Sequence, residues 1–146
     1  MLQIHVSIKN KSKHEFPKYE TLGSSGMDIR ADIDTPIVLS PGDSTIIPTG
    51  LYMEIPTGYE LQIRPRSGLA AKHGITVLNS PGTIDSDYRN EIGIILINHG
   101  RSLFTINSGD RICQGVFAEV THAVLIETKE VTSTDRSGGF GHTGIK

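Results

Sequence analysis

Five stretches of the chain place charged side chains beside small residues and turn formers, a mixture that lets backbone and side chains approach a polar ligand together. They are Gly26-Met27-Asp28-Ile29-Arg30-Ala31, Arg64-Pro65-Arg66-Ser67-Gly68-Leu69-Ala70, Gly82-Thr83-Ile84-Asp85-Ser86-Asp87-Tyr88-Arg89-Asn90, Gly109-Asp110-Arg111-Ile112-Cys113-Gln114 and the tail Arg136-Ser137-Gly138-Gly139-Phe140-Gly141-His142-Thr143-Gly144. In the second stretch Arg66 can fork two hydrogen bonds to phosphate-type oxygens. Ser67 and the amides after it open an expected short helix, where unpaired donors and the helix dipole favour an anion. A surface arginine followed by an ordinary serine cap would read the same way.

The third stretch carries two carboxylates, Asp85 and Asp87, around Ser86. On a strand they share a face; in a turn they diverge. Either could act as general base toward a water within hydrogen-bond reach. Either could instead bond its own backbone, the common fate of Asp in a turn. Tyr88 offers a flat face to a sugar or base, or fills the core. The tail holds four glycines in nine residues and cannot build a core alone. It is a flexible end, or an arm that orders over a ligand. In the second case Arg136 meets anionic oxygens, the glycine amides come close, and Phe140 stacks on a ring.

Other catalytic patterns are missing. There is no G-x-x-x-x-G-K-[ST] loop and no G-x-S-x-G elbow. The six histidines show no H-x-x-x-H or H-E-x-x-H pairing, so a zinc site built by the protein is not expected. Cys113 is the one cysteine; it forms no intramolecular disulfide and reads as a buried, inert thiol.

These residues need elements to hold them. The chain has 146 residues and a mass of 15.8 kDa, the size of one domain. Its 19 Ile, 7 Val and 13 Thr against 5 Ala favour pleated strands over helices. Sixteen glycines and seven prolines spread along the chain break those strands into short pieces. Strands are expected over Leu2–Ile8, Met27–Ala31, Ile37–Leu39, Ser44–Ile47, Leu51–Ile55, Tyr59–Ile63, Ile75–Leu78, Thr83–Ile84, Glu91–Asn98, Phe104–Ile106 and Arg111–Ile126. Pro56-Thr57-Gly58 and Asn79-Ser80-Pro81-Gly82 read as hairpin turns. Glu91–Asn98 reads as buried on both faces. One helix is expected over Ser67–His73, with a hydroxyl cap at its start and Gly74 at its end. The fold class is all-β, a sandwich or barrel of about ten short strands with one short helix.

The formal net charge of −2 argues against a nucleic-acid binder. No uninterrupted apolar run, Ile94–Ile97 included, exceeds four residues, far short of a membrane span. One cysteine, and a start at Met1 without a basic-then-apolar leader, point to a cytoplasmic protein.

Taken together and in order, the five stretches resemble the five motifs of the trimeric dUTPases, from residue 26 to 144. The resemblance implies a jelly-roll-like (β-clip) barrel, residues 1–131, followed by a glycine-rich arm, 132–146, exchanged within a homotrimer. It implies active sites at subunit interfaces that hydrolyse dUTP to dUMP and pyrophosphate, keeping uracil out of DNA and supplying dUMP for dTMP synthesis. Asp85 then corresponds to the carboxylate that deprotonates the attacking water and touches the sugar 3′-hydroxyl, and Tyr88 to the ring under the deoxyribose. Asn79 and the segment through Gly82, Thr83 and Ile84 correspond to the element that reads uracil. Arg66, Ser67, Gly68 and Gln114 correspond to phosphate contacts, and Asp28 to the carboxylate that orients Arg66. In the arm, Arg136, with Ser137 and Gly138, corresponds to the γ-phosphate contact and Phe140 to the ring over uracil. The implied cofactor is Mg²⁺, held by substrate phosphates and water rather than by a protein metal site. Nucleic acid and membrane are not implied partners.

One departure stands out. The third motif commonly ends in glycine where this chain has Asn90, the next most tolerant residue for a left-handed backbone. Two other readings compete. A deaminase of the same superfamily acting on dCTP would want a glutamate near the base, for which Glu91 is the nearest candidate. A catalytically silent nucleotide-binding module would not need a water-activating base.

Overall fold

Short runs of β-branched residues between turn formers fold as such runs should. The computed structural model describes residues 1–145. Its elements are β1 (Ser7–Asn10), β2 (Met27–Arg30), β3 (Ile37–Leu39), β4 (Ser44–Pro48), β5 (Leu51–Glu54), β6 (Tyr59–Arg64), α1 (Ser67–His73), β7 (Ile75–Val77), β8 (Gly82–Ile84), β9 (Gly93–Asn98), β10 (Phe104–Ile106) and β11 (Arg111–Glu119). Four antiparallel sheets result, with strand orders β2-β11-β6-β8, β4-β9-β7, β1-β5 and β10-β3. The architecture is all-β with one short helix, of the jelly-roll type.

All four sheets turn one face onto a single core. Ile29, Leu61, Ile63 and Ile112 enter it from the four-stranded sheet, and Ile47, Ile75, Ile94 and Leu96 from the three-stranded one. Leu51 and Met53 enter from β5, and Leu39 and Ile106 from the β3–β10 pair. Burying an Ile or Leu side chain contributes roughly 1.5–3 kcal/mol, so this shared cluster is what keeps the loops in place.

Several expectations need correction. The turns at Pro56–Gly58 and Asn79–Gly82 are not hairpins: β5 pairs with β1, β6 with β11 and β8, and β7 with β9. Each turn passes the chain from one sheet to another. The first strand begins at Ser7 rather than Leu2, because β5 offers partners only to Ser7–Asn10. β9 alternates buried and half-buried residues rather than being sealed on both faces. β11 ends at Glu119, not Ile126; beyond it Val124, Leu125 and Ile126 are exposed.

Asn98 is the polar pin of the β9–β10 connection. It is fully buried; its amide donates to the carbonyls of Leu39 (2.9 Å) and Ser102 (2.8 Å), and its oxygen accepts from the Gly100 amide (2.8 Å). Asn98→Ala strands these groups in the interior and costs about 3 kcal/mol. Thermal unfolding followed by circular dichroism should show a melting temperature lower by roughly 10 °C.

Candidate active site

Three strands bring the candidate residues of one cluster to a single rung. Asp28 on β2 lies opposite Gln114 on β11, which lies opposite Arg64 at the end of β6. Two residues beyond Arg64 the chain turns into α1. Arg66 is the extended residue before the helix (φ −91°, ψ 129°) and makes no side-chain cap; Ser67 is the first helical residue, not the cap expected from the sequence. The first intrahelical bond runs from the Ala70 amide to the Arg66 carbonyl (3.0 Å), so the amides of Ser67, Gly68 and Leu69 precede the helical ladder. Gly74 ends the helix at φ 67°, and a Cβ there would meet the Gly100 backbone at 2.5 Å, so the position needs glycine twice over.

The Arg66 guanidinium is anchored at two of its three nitrogens. Its Nε donates to Asp28 Oδ1 (3.1 Å) and its Nη1 to the Arg111 carbonyl (3.1 Å). Asp28 Oδ2 accepts from Arg111 Nη1 at 3.1 Å. One half-buried carboxylate thus serves two guanidiniums and leaves a positive balance facing solvent. Gln114 Nε2 donates to the Pro65 carbonyl (3.1 Å), tying β11 to the turn before α1. Gly26 covers it; a Cβ there would lie 2.5 Å from Gln114 Oε1. Arg111 was not singled out from the sequence, although its segment was; its contact with Asp28 makes it part of this cluster. Below lies Cys113, fully buried. Burial pushes its thiol far above the ordinary range; Asp28 adds to the shift and Arg66 opposes it.

A second cluster follows β8. Gly82 packs against Ile63 and the side chain of Asn79. Thr83 is exposed and Ile84 half-buried, and Asp85 opens a turn closed by the Tyr88 amide on the Asp85 carbonyl (3.1 Å). Asp85 is exposed. The Tyr88 hydroxyl donates to the Glu91 carbonyl (2.8 Å), which holds the partly exposed ring in place. Arg89 Nη1 bonds the carbonyls of Ser86 and Tyr88, a local clasp. Asn90 needs no left-handed backbone: among the described residues Phe140 is the one non-glycine at positive φ, so the missing glycine carries no backbone strain here. Glu91, the residue a deaminase would need, accepts the Gly50 amide at 2.8 Å and serves the fold.

The two clusters stand apart. Ile84 lies opposite Leu61, three residues along β6 from the Arg64 rung, and Asp85 lies one residue further out. Asp28 lies three strands across from β8. At about 3.3 Å per residue and about 4.8 Å per strand, the Asp85 and Asp28 positions are on the order of 15–20 Å apart, more than one phosphate chain bridges.

The arm makes its own bonds. Arg136 Nε donates to the Gly138 carbonyl (2.9 Å) and its amide to Thr134 Oγ1 (3.3 Å). His142 packs on Gly138, Ser137 is exposed, and the Phe140 ring is fully exposed at φ 50°. Among the described residues, hollows flank the body. One, of about 20 Å³, touches Asp28 and Arg111 from the loop of His14 and Phe16. The other, of about 290 Å³, lies at the far end of α1 between Lys72, His73, Arg101 and Phe104.

Residues 4–144 match the family model for dUTPase. The chain belongs to the dUTPase family. It is 54% identical over 140 residues to the deoxyuridine 5′-triphosphate nucleotidohydrolase of Finegoldia magna, covering 95% of this chain and 98% of that one. It is 60% identical over 132 residues to that of Chlamydia pneumoniae, covering 89% and 91%. The dUTPase fold extends to distant structures. The Staphylococcus bacteriophage 80alpha dUTPase with dUpNHpp superposes with a TM-score of 0.84 at 24% identity, over 98% of this chain and 100% of that one. A dUTPase variant from phage phi11 of S. aureus, described with a structural Mg(II) ion, gives 0.77 at 22%, over 89% and 100%. In this dUTPase, no group of three or more His, Cys, Asp or Glu among the described residues is placed to hold a metal. No helix among them is long and apolar enough to cross a membrane.

Proposed function

We propose that this dUTPase hydrolyses dUTP to dUMP and pyrophosphate by in-line water attack at the α-phosphorus, in a homotrimer whose active sites each draw on more than one copy. The carrying observation is the separation of Asp85 from the Asp28–Arg66–Gln114 cluster. Two halves of one catalytic set, too far apart in a single chain, become one site when a second copy brings its own half.

Each residue has a task in this reading. Asp85 takes the proton of the attacking water and touches the 3′-hydroxyl. Tyr88, steadied by its bond to Glu91, lies under the deoxyribose and excludes a 2′-hydroxyl. Asn79 and the backbone from Gly82 through Thr83 to Ile84 complement the acceptor–donor–acceptor edge of uracil, so cytosine leaves buried groups unpaired. The outer edge of Arg66, with Ser67, Gly68 and Gln114, binds the phosphates, and Asp28 orients Arg66. Residues 132–146 form an arm on the 1–131 body; the described residues end at 145, so Lys146 lies outside them. Through the arm Arg136, with Ser137 and Gly138, reaches the γ-phosphate, and Phe140 covers the base.

Mg²⁺ fits this arrangement as a passenger of the substrate. Both Asp28 oxygens already accept from arginines, which supports a Mg²⁺ that would be held by phosphate oxygens and water rather than by Asp28. Bound there it neutralises phosphate charge. The reaction supplies dUMP for dTMP synthesis and keeps uracil out of DNA, in a reducing cytoplasm that suits the one buried thiol.

Pyrophosphate release with Mg²⁺ and dUTP, dCTP, dTTP or UTP tests the reading. Release from dUTP is expected to exceed the others by at least about 10²-fold. Ammonia from dCTP, or nucleotide binding without turnover, overturns it.

A further inference from the structure

Strand alternation does not allow Arg111 and Gln114 to share a face, since they are three positions apart and side chains alternate every residue. Yet they do share one. Asp28 and Arg30, two apart on β2, face the same way; Gln114 lies opposite Asp28 and Arg111 opposite Arg30. The register shifts between Arg111 and Cys113, and Ile112 is the extra residue. Ile112 and Cys113 are both buried, at 2% and 0% exposure, where an unbroken strand would bury only one of them. Without the bulge Arg111 would follow Cys113 into the core. With it, Arg111 lands on the face of Asp28.

We propose that the bulge at Ile112 makes Arg111 a positioning residue for Arg66, the phosphate-binding arginine of the reading above, on which this inference rests. Arg111 holds Arg66 in two ways. Its Nη1 occupies Asp28 Oδ2, and its carbonyl accepts Arg66 Nη1. A carboxylate facing a lone arginine prefers the two-bond fork. Here Oδ2 is taken, so Arg66 reaches the carboxylate through Nε alone, at Oδ1. That leaves Nη2, which lies beside Nε and would complete the fork, for the phosphates. Removing the Arg111 guanidinium frees Oδ2, lets the carboxylate swing, and draws Nη2 into the fork.

Arg111→Gln and Arg111→Lys test this. In Arg111→Gln, kcat for dUTP should fall roughly tenfold with KM within about threefold, because a mispositioned donor is felt most in the transition state. Arg111→Lys should recover most of the rate, since an ammonium group can still occupy Asp28 Oδ2. A rise in KM alone would make Arg111 a direct substrate contact, and equal losses in both variants would make its role merely structural; either overturns the proposal. A crystal structure of Arg111→Gln without nucleotide gives an independent reading. The forked Arg66–Asp28 pair is expected, and an unchanged single Nε contact overturns the proposal. That structure decides the role of Arg111 even if the wild-type protein proves not to hydrolyse dUTP, which would sink the proposed reaction instead.

Discussion

Asp85→Asn should lower dUTP turnover by roughly 10²-fold or more while leaving nucleotide affinity within a few-fold. The amide keeps the shape and the 3′-hydroxyl contact of the carboxylate but cannot accept the water's proton. Asp85 is exposed at the opening of its turn, and its backbone rather than its carboxylate holds that turn, so the fold should tolerate the change. Pre-steady-state pyrophosphate release together with binding of a non-hydrolysable dUTP analogue measures both quantities. Turnover near wild type would remove Asp85 from the chemistry. The same variant tests the composite site. Arg66→Ala is also expected to be nearly inactive. Mixed one to one and reassembled, the two variants should regain about a quarter of wild-type activity, since half the copies supply an intact Asp85 and half of their neighbours an intact Arg66. No recovery would confine each site to one chain.

Removal of residues 136–146 should lower kcat/KM by roughly 10²-fold, through loss of the γ-phosphate contact and of water exclusion over the base. The body should remain folded, because the core draws on no residue beyond Phe117 and the last strand ends at Glu119. Circular dichroism melting and sedimentation would be run beside the activity assay. A collapse of the trimer on truncation would make the arm a structural strap rather than a lid.

Much of the fold was legible because most strands are short and set off by strong turn formers. The sequence placed β3 and β10 at their observed bounds, and Gly74 marked the end of α1. Strand pairing was not legible. Pro56-Thr57-Gly58 says that the chain reverses; it does not say that β6 leaves β5 for β11, because partner choice depends on the core shared by all four sheets. The run after Glu119 carries the β-branched residues of a strand but pairs with no strand of its own chain among the described residues. In the site, Asp28 lies beside Arg66 and opposite Gln114, a proximity that residue types and spacing alone do not give. Arg111 escaped because a bulge leaves no mark in residue types: period-two reading sends it to the core. The distance between Asp85 and Asp28 was equally hidden, since it follows from β2 and β8 lying at opposite edges of one sheet.

The sealed thiol of Cys113 has a practical consequence. A maleimide dye finds no reactive sulfur on the native body, because the group is buried and held protonated. A fluorophore can therefore be attached at one introduced cysteine near the base of the arm, with the native cysteine left in place. Its signal would then follow the opening and closing of that arm in real time.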